Sequence, residues 1–175
     1  LKKFEAESRD VLEAELNKEF RTGGESLAGL TIDPTTLDPL IEALPPVLAD
    51  EMKNGLAELN VYYSSGSMDR REAALARFRK VIQRVPLFPV PHFYIGLAYE
   101  GSRDYELALE SYQRACEIEP EFAEALVGRG AMYRSLGRFD EARRDFDQAA
   151  RLVPDLYELH VERARMALRE RRRAD

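Results

Sequence analysis

The sequence predicts an all-helical solenoid in which antiparallel pairs of helices stack side by side. The first observation is a period of 34 residues, at which residues of the same kind recur in the second half of the chain. The recurring pairs are Gly96 and Gly130, Tyr99 and Tyr133, Tyr105 and Phe139, Ala108 and Ala142, Tyr112 and Phe146, Ala115 and Ala149, and Pro120 and Pro154. The second observation is that each period holds two stretches in which apolar residues lie three and four apart, which predicts a pair of helices. Units this small cannot bury their own apolar faces, so they must stack on one another.

The residues between Pro120 and Pro154 follow a known pattern: a small residue, an aromatic residue, glycine and an aromatic residue at a turn, and then alanine, an aromatic residue, alanine and proline. The residues that carry it are Gly130, Tyr133, Gly137, Phe139, Ala142, Phe146, Ala149 and Pro154. This pattern resembles the tetratricopeptide repeat. The resemblance implies a right-handed α-solenoid that serves as a protein-binding scaffold or adaptor.

The period divides the chain into five parts. They are an acidic helical extension (1–54), repeat 1 (55–88), repeat 2 (89–122), repeat 3 (123–156) and a closing helix with an arginine-rich end (157–175). Repeat 2 departs from the pattern at its turn, where Arg103 stands in place of the glycine. That turn is therefore expected to differ in shape.

The first helix of repeat 1 can be aligned in two ways. Strict spacing puts Tyr62 where repeat 2 has Gly96, which is a crowded position. Treating residues 67–69 as an insertion instead aligns Tyr62 with Tyr99 and Gly66 with Gly137. We favour the insertion.

The N-terminal extension carries the excess acid of the chain. Residues 1–54 hold 6 basic and 12 acidic side chains, whereas residues 55–175 hold 20 of each. Phe4, Leu12, Leu16 and Phe20 line one face of a predicted helix that Gly23 and Gly24 end. A short helix is predicted to begin at Asp38 and Pro39, and the leucine-rich stretch 27–48 must pack on something.

Composition excludes several classes of protein. The charge balance predicts no general attraction to nucleic acid, and no apolar run approaches the roughly 18 residues of a transmembrane helix. One cysteine allows no internal disulfide. A cytoplasmic location is expected. Because the chain begins at Leu1, we expect a trimmed piece, which leaves periplasmic, organellar and anchored forms open.

The sequence offers no catalytic, cofactor or metal site above background, so a non-enzymatic function is predicted. His92 and His160 lie 68 residues apart, at the same place in two repeats, where packing explains them best. Cys116 follows a packing alanine and is expected to be a buried, inert thiol. Gly128 and Gly130 lie inside a helix rather than after a strand, which excludes dinucleotide binding.

The resemblance also implies which residues face a concave groove in which a peptide or helix of another protein lies. They stand three before, one after and four after the small residue of each first helix. These groove residues are Leu56, Tyr63, Phe93, Leu97, Glu100, Val127, Ala131, Arg134, Val161 and Arg165. Tyr63 belongs to the set in either alignment of repeat 1.

Chaperone-binding members of the family hold a terminal carboxylate with a clamp of Lys, Asn and Arg, and this sequence offers only Asn60. The apolar groove predicts instead an amphipathic helix or an extended segment with an acid near Arg134 and Arg165. Residues 27–48 of the chain itself have that composition, so they are a candidate occupant or a cap on repeat 1. The alternatives are a self-association module that forms homo-oligomers, and an accessory that contacts RNA or an anionic surface through Arg163, Arg165, Arg169 and Arg171 to Arg173.

Overall fold

The computed structural model describes residues 38–174, and the side chains of residues 39–169. This part of the chain is helical and contains no strand. Its helices are α1 (Asp38–Glu42), α2 (Pro46–Ser65), α3 (Met68–Arg84), α4 (Pro89–Gly101), α5 (Tyr105–Ile118), α6 (Ala123–Ser135), α7 (Phe139–Leu152) and α8 (Tyr157–Ala174). The helix predicted over residues 4–20 lies outside the described residues.

The helices form antiparallel pairs that stack in chain order. The pairs are α2 with α3, α4 with α5, and α6 with α7, and α8 packs on the last pair. Each second helix also contacts the first helix of the next pair. The predicted all-α solenoid is therefore confirmed for the described residues.

The turn inside each pair uses a residue with positive φ. Gly66 has φ 71°, Arg103 has φ 64° and Gly137 has φ 78°. In repeat 3, Gly137 N–H donates to Arg134 O at 3.0 Å, and in repeat 2, Arg103 N–H donates to Glu100 O at 2.9 Å. The expectation that the turn at Arg103 differs in shape is therefore wrong: arginine adopts the backbone conformation that glycine adopts one repeat later.

Repeat 1 differs from the others in the lengths of its helices. Helix α3 has 17 residues, whereas α5 and α7 have 14 each. The three additional residues lie at the start of α3, directly after Gly66, where the favoured alignment places an insertion. Helix α2 begins at Pro46, well before residue 55, because proline fits the first turn of a helix, where no intrahelical N–H bond is needed.

A fully buried aromatic ring from each second helix packs against a glycine of the first helix. A Cβ atom added to Gly96 would lie 2.7 Å from the ring of Tyr112, and one added to Gly130 would lie 2.6 Å from the ring of Phe146. In repeat 1 the corresponding glycine is Gly55, where an added Cβ atom would lie 2.5 Å from the Phe78 ring. Neither alignment of the sequence predicts this role for Gly55.

Side chains bond to the closing prolines of two repeats. His160 Nε2 donates to Pro154 O at 2.9 Å. In the preceding turn, Gln148 Nε2 donates to Pro120 O at 3.0 Å. These bonds pair carbonyl groups at places where the helix ladder has ended.

Candidate protein-binding groove

The first helices of successive pairs lie side by side and carry the groove residues. Helix α2 contacts α4, α4 contacts α6, and α6 contacts α8. The ten predicted groove residues lie on these four helices, and their arrangement as one groove stays a prediction.

Eight of the groove residues are buried in this structure. Their exposed fractions are 2% for Phe93, 3% for Leu97, 2% for Glu100, 1% for Val127, 1% for Ala131, 5% for Arg134, 3% for Val161 and 5% for Arg165. Leu56 and Tyr63 are half-buried. In this structure these eight side chains are therefore not accessible to solvent.

Tyr112 reaches the groove residues from the second helix of repeat 2. Its ring lies between Gly96 and Gly128, because a Cβ atom on either glycine would lie 2.7 Å from ring atoms. Its hydroxyl donates a hydrogen bond of 2.8 Å to the carboxylate of Glu100. Burial and the charge of Glu100 raise the pKa of Tyr112 well above its usual value, so the hydroxyl stays protonated and can donate.

Tyr63 ties the first helix of repeat 1 to that of repeat 2. Its hydroxyl donates to Leu97 O at 2.9 Å. A Cβ atom on Gly101 would lie 2.8 Å from the Tyr63 ring, which explains the glycine at the end of α4. Burial, followed by the charge of Glu100, raises the pKa of Tyr63 well above its usual value.

Arg134 and Arg165 are bound to a carboxylate of the same protein. Arg134 Nε lies 2.9 Å from one oxygen of Glu162, and Arg165 Nη1 lies 2.7 Å from the other. All three side chains are almost fully buried. A partner's acidic group would have to compete with Glu162 for these guanidinium groups, so the expected acid near this end of the partner loses its support.

Phe93 belongs to an aromatic cluster in the interior. Its ring centroid lies 5.3 Å from that of Tyr94, 5.8 Å from that of Tyr112 and 5.2 Å from that of Phe122. Rings at these separations contribute to packing beyond their buried area. Phe93 therefore holds α4 against its neighbours.

The groups that sequence reasoning set aside as chemical sites have structural environments. Cys116 is buried, and burial raises the pKa of its thiol to about 12, which makes the thiolate scarce. Within residues 38–169, no cluster of three or more His, Cys, Asp or Glu side chains has the arrangement of a metal site. The same part of the chain has no helix that is long and apolar enough to cross a membrane.

Arginines near the C-terminal end contact the protein itself. Arg163 bonds to the carboxylate of Asp147 and to Phe146 O, and Arg169 donates to Arg134 O at 3.4 Å. Arg165 is held by Glu162. The side chains of Arg171, Arg172 and Arg173 lie outside the described residues.

The stretch 27–48 is described from residue 38 onward. Ile41 is fully buried, whereas Leu40 is 48% exposed and Val47 is 74% exposed. Helix α1 contacts α2. Residues 38–48 therefore bury one large side chain fully and leave others accessible, and residues 27–37 lie outside the described part.

A second concavity, of about 660 Å³, lies beside α5. Its lining includes His92, Tyr99, Glu106, Glu110 and Arg138, so it is mixed in charge. None of the groove residues lines it. It is therefore separate from the predicted groove.

Sequence reasoning missed three residues that shape the predicted groove: Tyr112, Gly128 and Glu162. The repeat pattern identifies Tyr112 only as a recurring aromatic residue, whereas in the structure its hydroxyl bonds to the groove residue Glu100. Gly128 and Glu162 are one period apart but differ in type, so the repeat pattern gives no signal for either. The buried carboxylate becomes recognisable only through the two arginines that surround it.

Comparison with known proteins supports the fold directly. The family model described as Tetratricopeptide repeat matches residues 66–123, 95–157 and 129–175. Over 82 residues, or 47% of the chain, the sequence is 30% identical to a UDP-N-acetylglucosamine–peptide N-acetylglucosaminyltransferase of Giardia intestinalis. The match spans only 6% of that enzyme's length.

Two solved structures illustrate the likeness. The first TPR domain of human RPAP3 aligns with a TM-score of 0.60 at 21% identity, covering 69% of this chain and 90% of that domain. The second TPR domain of human RPAP3, in complex with the HSP70 peptide SGPTIEEVD, aligns with a TM-score of 0.58 at 19% identity, covering 69% of this chain and 98% of that one. Since the family model covers well over half of the sequence, the chain belongs to the tetratricopeptide repeat family.

Proposed function

We propose that this protein is a non-catalytic adaptor that binds an apolar helix or peptide segment of another protein along the row of groove residues. Tetratricopeptide repeats generally serve as protein–protein interaction modules, and a structural neighbour holds a peptide of another protein. The observation that carries the proposal is the apolar character of this row on α4 and α6, at Phe93, Leu97, Val127 and Ala131.

The chemistry of the groove favours apolar anchors over a terminal carboxylate. Arg134 and Arg165 are already bound to Glu162, and the sequence lacks the carboxylate clamp of the chaperone-binding members. Three or four apolar anchors contribute about 1.5 to 3 kcal/mol each. Association costs roughly 4 to 15 kcal/mol, so a single short segment is expected to bind with modest affinity.

The test starts from peptides selected against the full chain from a random display library. Variants should alter half-buried groove positions, because charge at the buried Phe93 or Leu97 would disrupt the core. Leu168, four residues after the small residue Ala164 of the closing helix, is a further half-buried position of the predicted groove. Leu56→Glu and Leu168→Glu place charges at the two ends of the groove row, whereas Leu107→Glu alters an exposed leucine of α5 outside it. Binding is measured by fluorescence anisotropy.

The groove variants are expected to weaken peptide binding at least about tenfold, since one charged side chain buried without a partner costs several kcal/mol. Leu107→Glu should leave the affinity unchanged. Peptides that bind all three variants equally, or that lose affinity only with Leu107→Glu, would place the binding site elsewhere and contradict the proposal.

A further inference from the structure

One face of the closing helix α8 is exposed, although the matching face of α6 is buried. The two helices begin at equivalent residues, 34 apart in the sequence. On α6, residues spaced three, four and three apart share one face of the helix, and they are Ala123, Leu126, Gly130 and Tyr133. The first three are buried and the fourth is partly buried. The same places on α8 form what we name the α8 face: Tyr157, His160, Ala164 and Ala167.

The α8 face presents more surface to solvent than its counterpart on α6. Tyr157 is 48% exposed, whereas Ala123 is 2% exposed. His160 and Ala167 are exposed, and Ala164 is partly buried. Two adjacent sides of this surface are therefore available for contact with another molecule, one apolar at Ala164 and Ala167 and one aromatic at Tyr157.

The other repeats show what kind of element covers this face. In repeat 2 a Cβ atom added to Gly96 would lie 2.7 Å from the Tyr112 ring, and in repeat 3 one added to Gly130 would lie 2.6 Å from the Phe146 ring. Each ring belongs to the second helix of the same pair. Ala164 stands 34 residues after Gly130, and α8 is the last helix of the described residues. The equivalent contact on α8 would therefore come from a further second helix.

A charged residue beside the α8 face points to the same kind of element. Arg129 of α6 donates two hydrogen bonds of 2.7 Å to Asp145, which lies in the second helix of its own pair. Arg163, 34 residues later, bonds instead to Asp147 in the preceding pair, and its side chain is 40% exposed. An ion pair this exposed contributes little to stability. The guanidinium group can thus turn to a carboxylate on an incoming helix.

We propose that the α8 face binds an amphipathic helix of a partner protein in the position of a second helix. This helix carries an acidic residue that pairs with Arg163 and, directly after it, an apolar residue that packs on Ala164. The same order, an acid followed by an apolar residue, occurs at Asp145 and Phe146 in α7. Because Ala164 has a methyl group where α6 has glycine, the apolar residue is expected to be smaller than phenylalanine.

Charge favours an acidic partner over a second copy of this chain. Helix α8 holds 6 arginines and 3 glutamates. Pairing two copies of α8 through this face would bring helices of like net charge together, whereas an acidic helix meets α8 with the opposite charge. The partner helix is therefore expected to be acidic overall as well as at the residue that meets Arg163.

The α8 face is separate from the predicted groove. The groove residues of α8, Val161 and Arg165, are buried, and they follow His160 and Ala164 by one residue, which turns them about 100° around the helix. The inference therefore goes beyond the proposed function and does not depend on it.

The test uses a fluorescein-labelled peptide that copies residues 137–154 of this protein and carries Phe146→Leu. A covalent link joins its positions 140 and 144, which are exposed in α7, because isolated helices of this length are marginally stable. Binding to the full chain is measured by fluorescence anisotropy. We expect saturable binding.

Three protein variants report the position of the peptide. Ala164→Glu should weaken binding at least about tenfold, since it places an unpaired charge in the contact. Ala57→Glu, at an exposed alanine of α2, should leave the affinity unchanged. The parent should bind the leucine peptide more tightly than the peptide that keeps Phe146, and Ala164→Gly should reverse this preference.

The predicted ion pair gives an independent reading. In the peptide, Asp145→Asn should weaken binding to the parent at least about fivefold. Against the Arg163→Gln protein the same change should have less than about a twofold effect, because the two groups contact each other directly. This coupling also decides the case if circular dichroism shows that Ala164→Glu does not fold.

Several outcomes would overturn the assignment. They are an absence of saturable binding, equal effects of Ala164→Glu and Ala57→Glu, or an effect of Asp145→Asn that is the same with and without Arg163. A dimer of the parent in light scattering that Ala164→Glu abolishes would assign the face to a second copy and contradict the proposal.

Failure here is distinguishable from failure of the groove function. Leu56→Glu should leave binding of the helical peptide unchanged, and an excess of a peptide selected for the groove should not displace it. Displacement would show that the two peptides share one surface, which contradicts a separate site on α8. Loss of groove binding alone leaves the α8 face unaffected.

Discussion

Glycine is required at several helical positions because a neighbouring aromatic ring leaves no room for a side chain. Gly96 and Gly128 enclose the ring of Tyr112 from two successive first helices. Glycine inside a helix normally costs about 1 kcal/mol relative to alanine. Its presence here is therefore explained by close packing rather than by backbone conformation.

Gly128→Ala should destabilise the protein even though alanine is the better helix former. The new methyl group would meet a buried tyrosine ring at 2.7 Å, and overpacking of this kind costs about 1 to 3 kcal/mol. Urea unfolding measures the effect. In a Tyr112→Leu background the penalty should largely disappear, and a Gly128→Ala variant that is more stable than the parent would contradict the packing argument.

Cys116 provides a residue-scale test of burial. Burial raises the pKa of its thiol from the ordinary 9.0 to about 12. The native thiol should react with Ellman's reagent at pH 8 at least about 100-fold more slowly than the thiol of the urea-unfolded chain, since the thiolate is the reactive form. Comparable rates would show that the side chain is accessible.

The same shift makes stability depend on pH in a defined direction. The folded state keeps the thiol proton at a pH where the unfolded state has lost it, so the contribution of Cys116 is complete below about pH 9 and declines toward pH 12. The decline cannot exceed about 1.4 kcal/mol per pH unit. Unfolding free energies measured at pH 8 and pH 10.5 should therefore fall further for the parent than for Cys116→Ala, and equal falls would refute the assignment.

At the scale of the element, each helix pair depends on a left-handed residue at its turn. Gly137 adopts this conformation without cost, whereas Arg103 carries a Cβ atom there. Two hydrogen bonds correspond between the turns: Arg103 N–H donates to Glu100 O as Gly137 N–H does to Arg134 O, and Asp104 N–H donates to Tyr99 O as Arg138 N–H does to Tyr133 O. Sequence reasoning predicted a different turn in repeat 2 because it treated glycine as necessary, and the surrounding helices override that local preference.

Exchange of the turn residues tests this explanation. Arg103→Gly should raise the free energy of unfolding by about 0.5 to 1 kcal/mol, because it removes the steric cost of positive φ. Gly137→Ala should lower the free energy of unfolding by about 1 kcal/mol, because it introduces a side chain at a residue with positive φ. Thermal or urea unfolding measures both, and a loss of stability in Arg103→Gly would mean that the arginine side chain contributes more than its backbone strain costs.

The helices were predictable where the period repeats and not where repeat 1 departs from it. The three-residue insertion could be placed from Gly66, because the turn fixes the phase of the chain. The contact between Gly55 and Phe78 could not be predicted from the spacing. Helix α2 continues toward the N-terminus, so a different turn of this helix lies opposite the Phe78 ring. Helix length is set by tertiary packing here, and a spacing rule carries no information about it.

At the scale of the whole molecule, coupling passes between neighbouring helices. In the described solenoid, the main contacts of each helix are with the next helix or the next but one, so stability is expected to be nearly a sum of local terms. The groove residues stay a prediction made from their place in the repeat. Their burial could not be predicted, because a repeat pattern gives the position of a residue on its helix and not the exposure of its side chain.

Glu162→Gln should loosen the closing helix selectively. Glu162 is the carboxylate between Arg134 and Arg165, and removal of one member of a buried ion pair costs about 3 to 5 kcal/mol. Hydrogen exchange should rise most in α8 and α6 and least in α2 and α3.

The control for this prediction is Asp147→Asn, which removes an exposed partner of Arg163 and should cost at most about 1 kcal/mol. Equal effects of the two variants, or an increase in exchange spread evenly along the solenoid, would contradict local coupling. Both variants lose one carboxylate charge. A difference in their stability therefore reports the burial of Glu162 and not the change in net charge.

The enclosure of Tyr112 sets the smallest portion of this protein that can be transplanted. The sequence assigns Tyr112 to residues 89–122, but half of its enclosure comes from Gly128, beyond that boundary. A single repeat grafted into another solenoid would place this ring against whatever residue the host supplies. An engineer who recombines such modules would therefore have to carry three consecutive helices, α4 to α6, for each repeat that is to keep its shape.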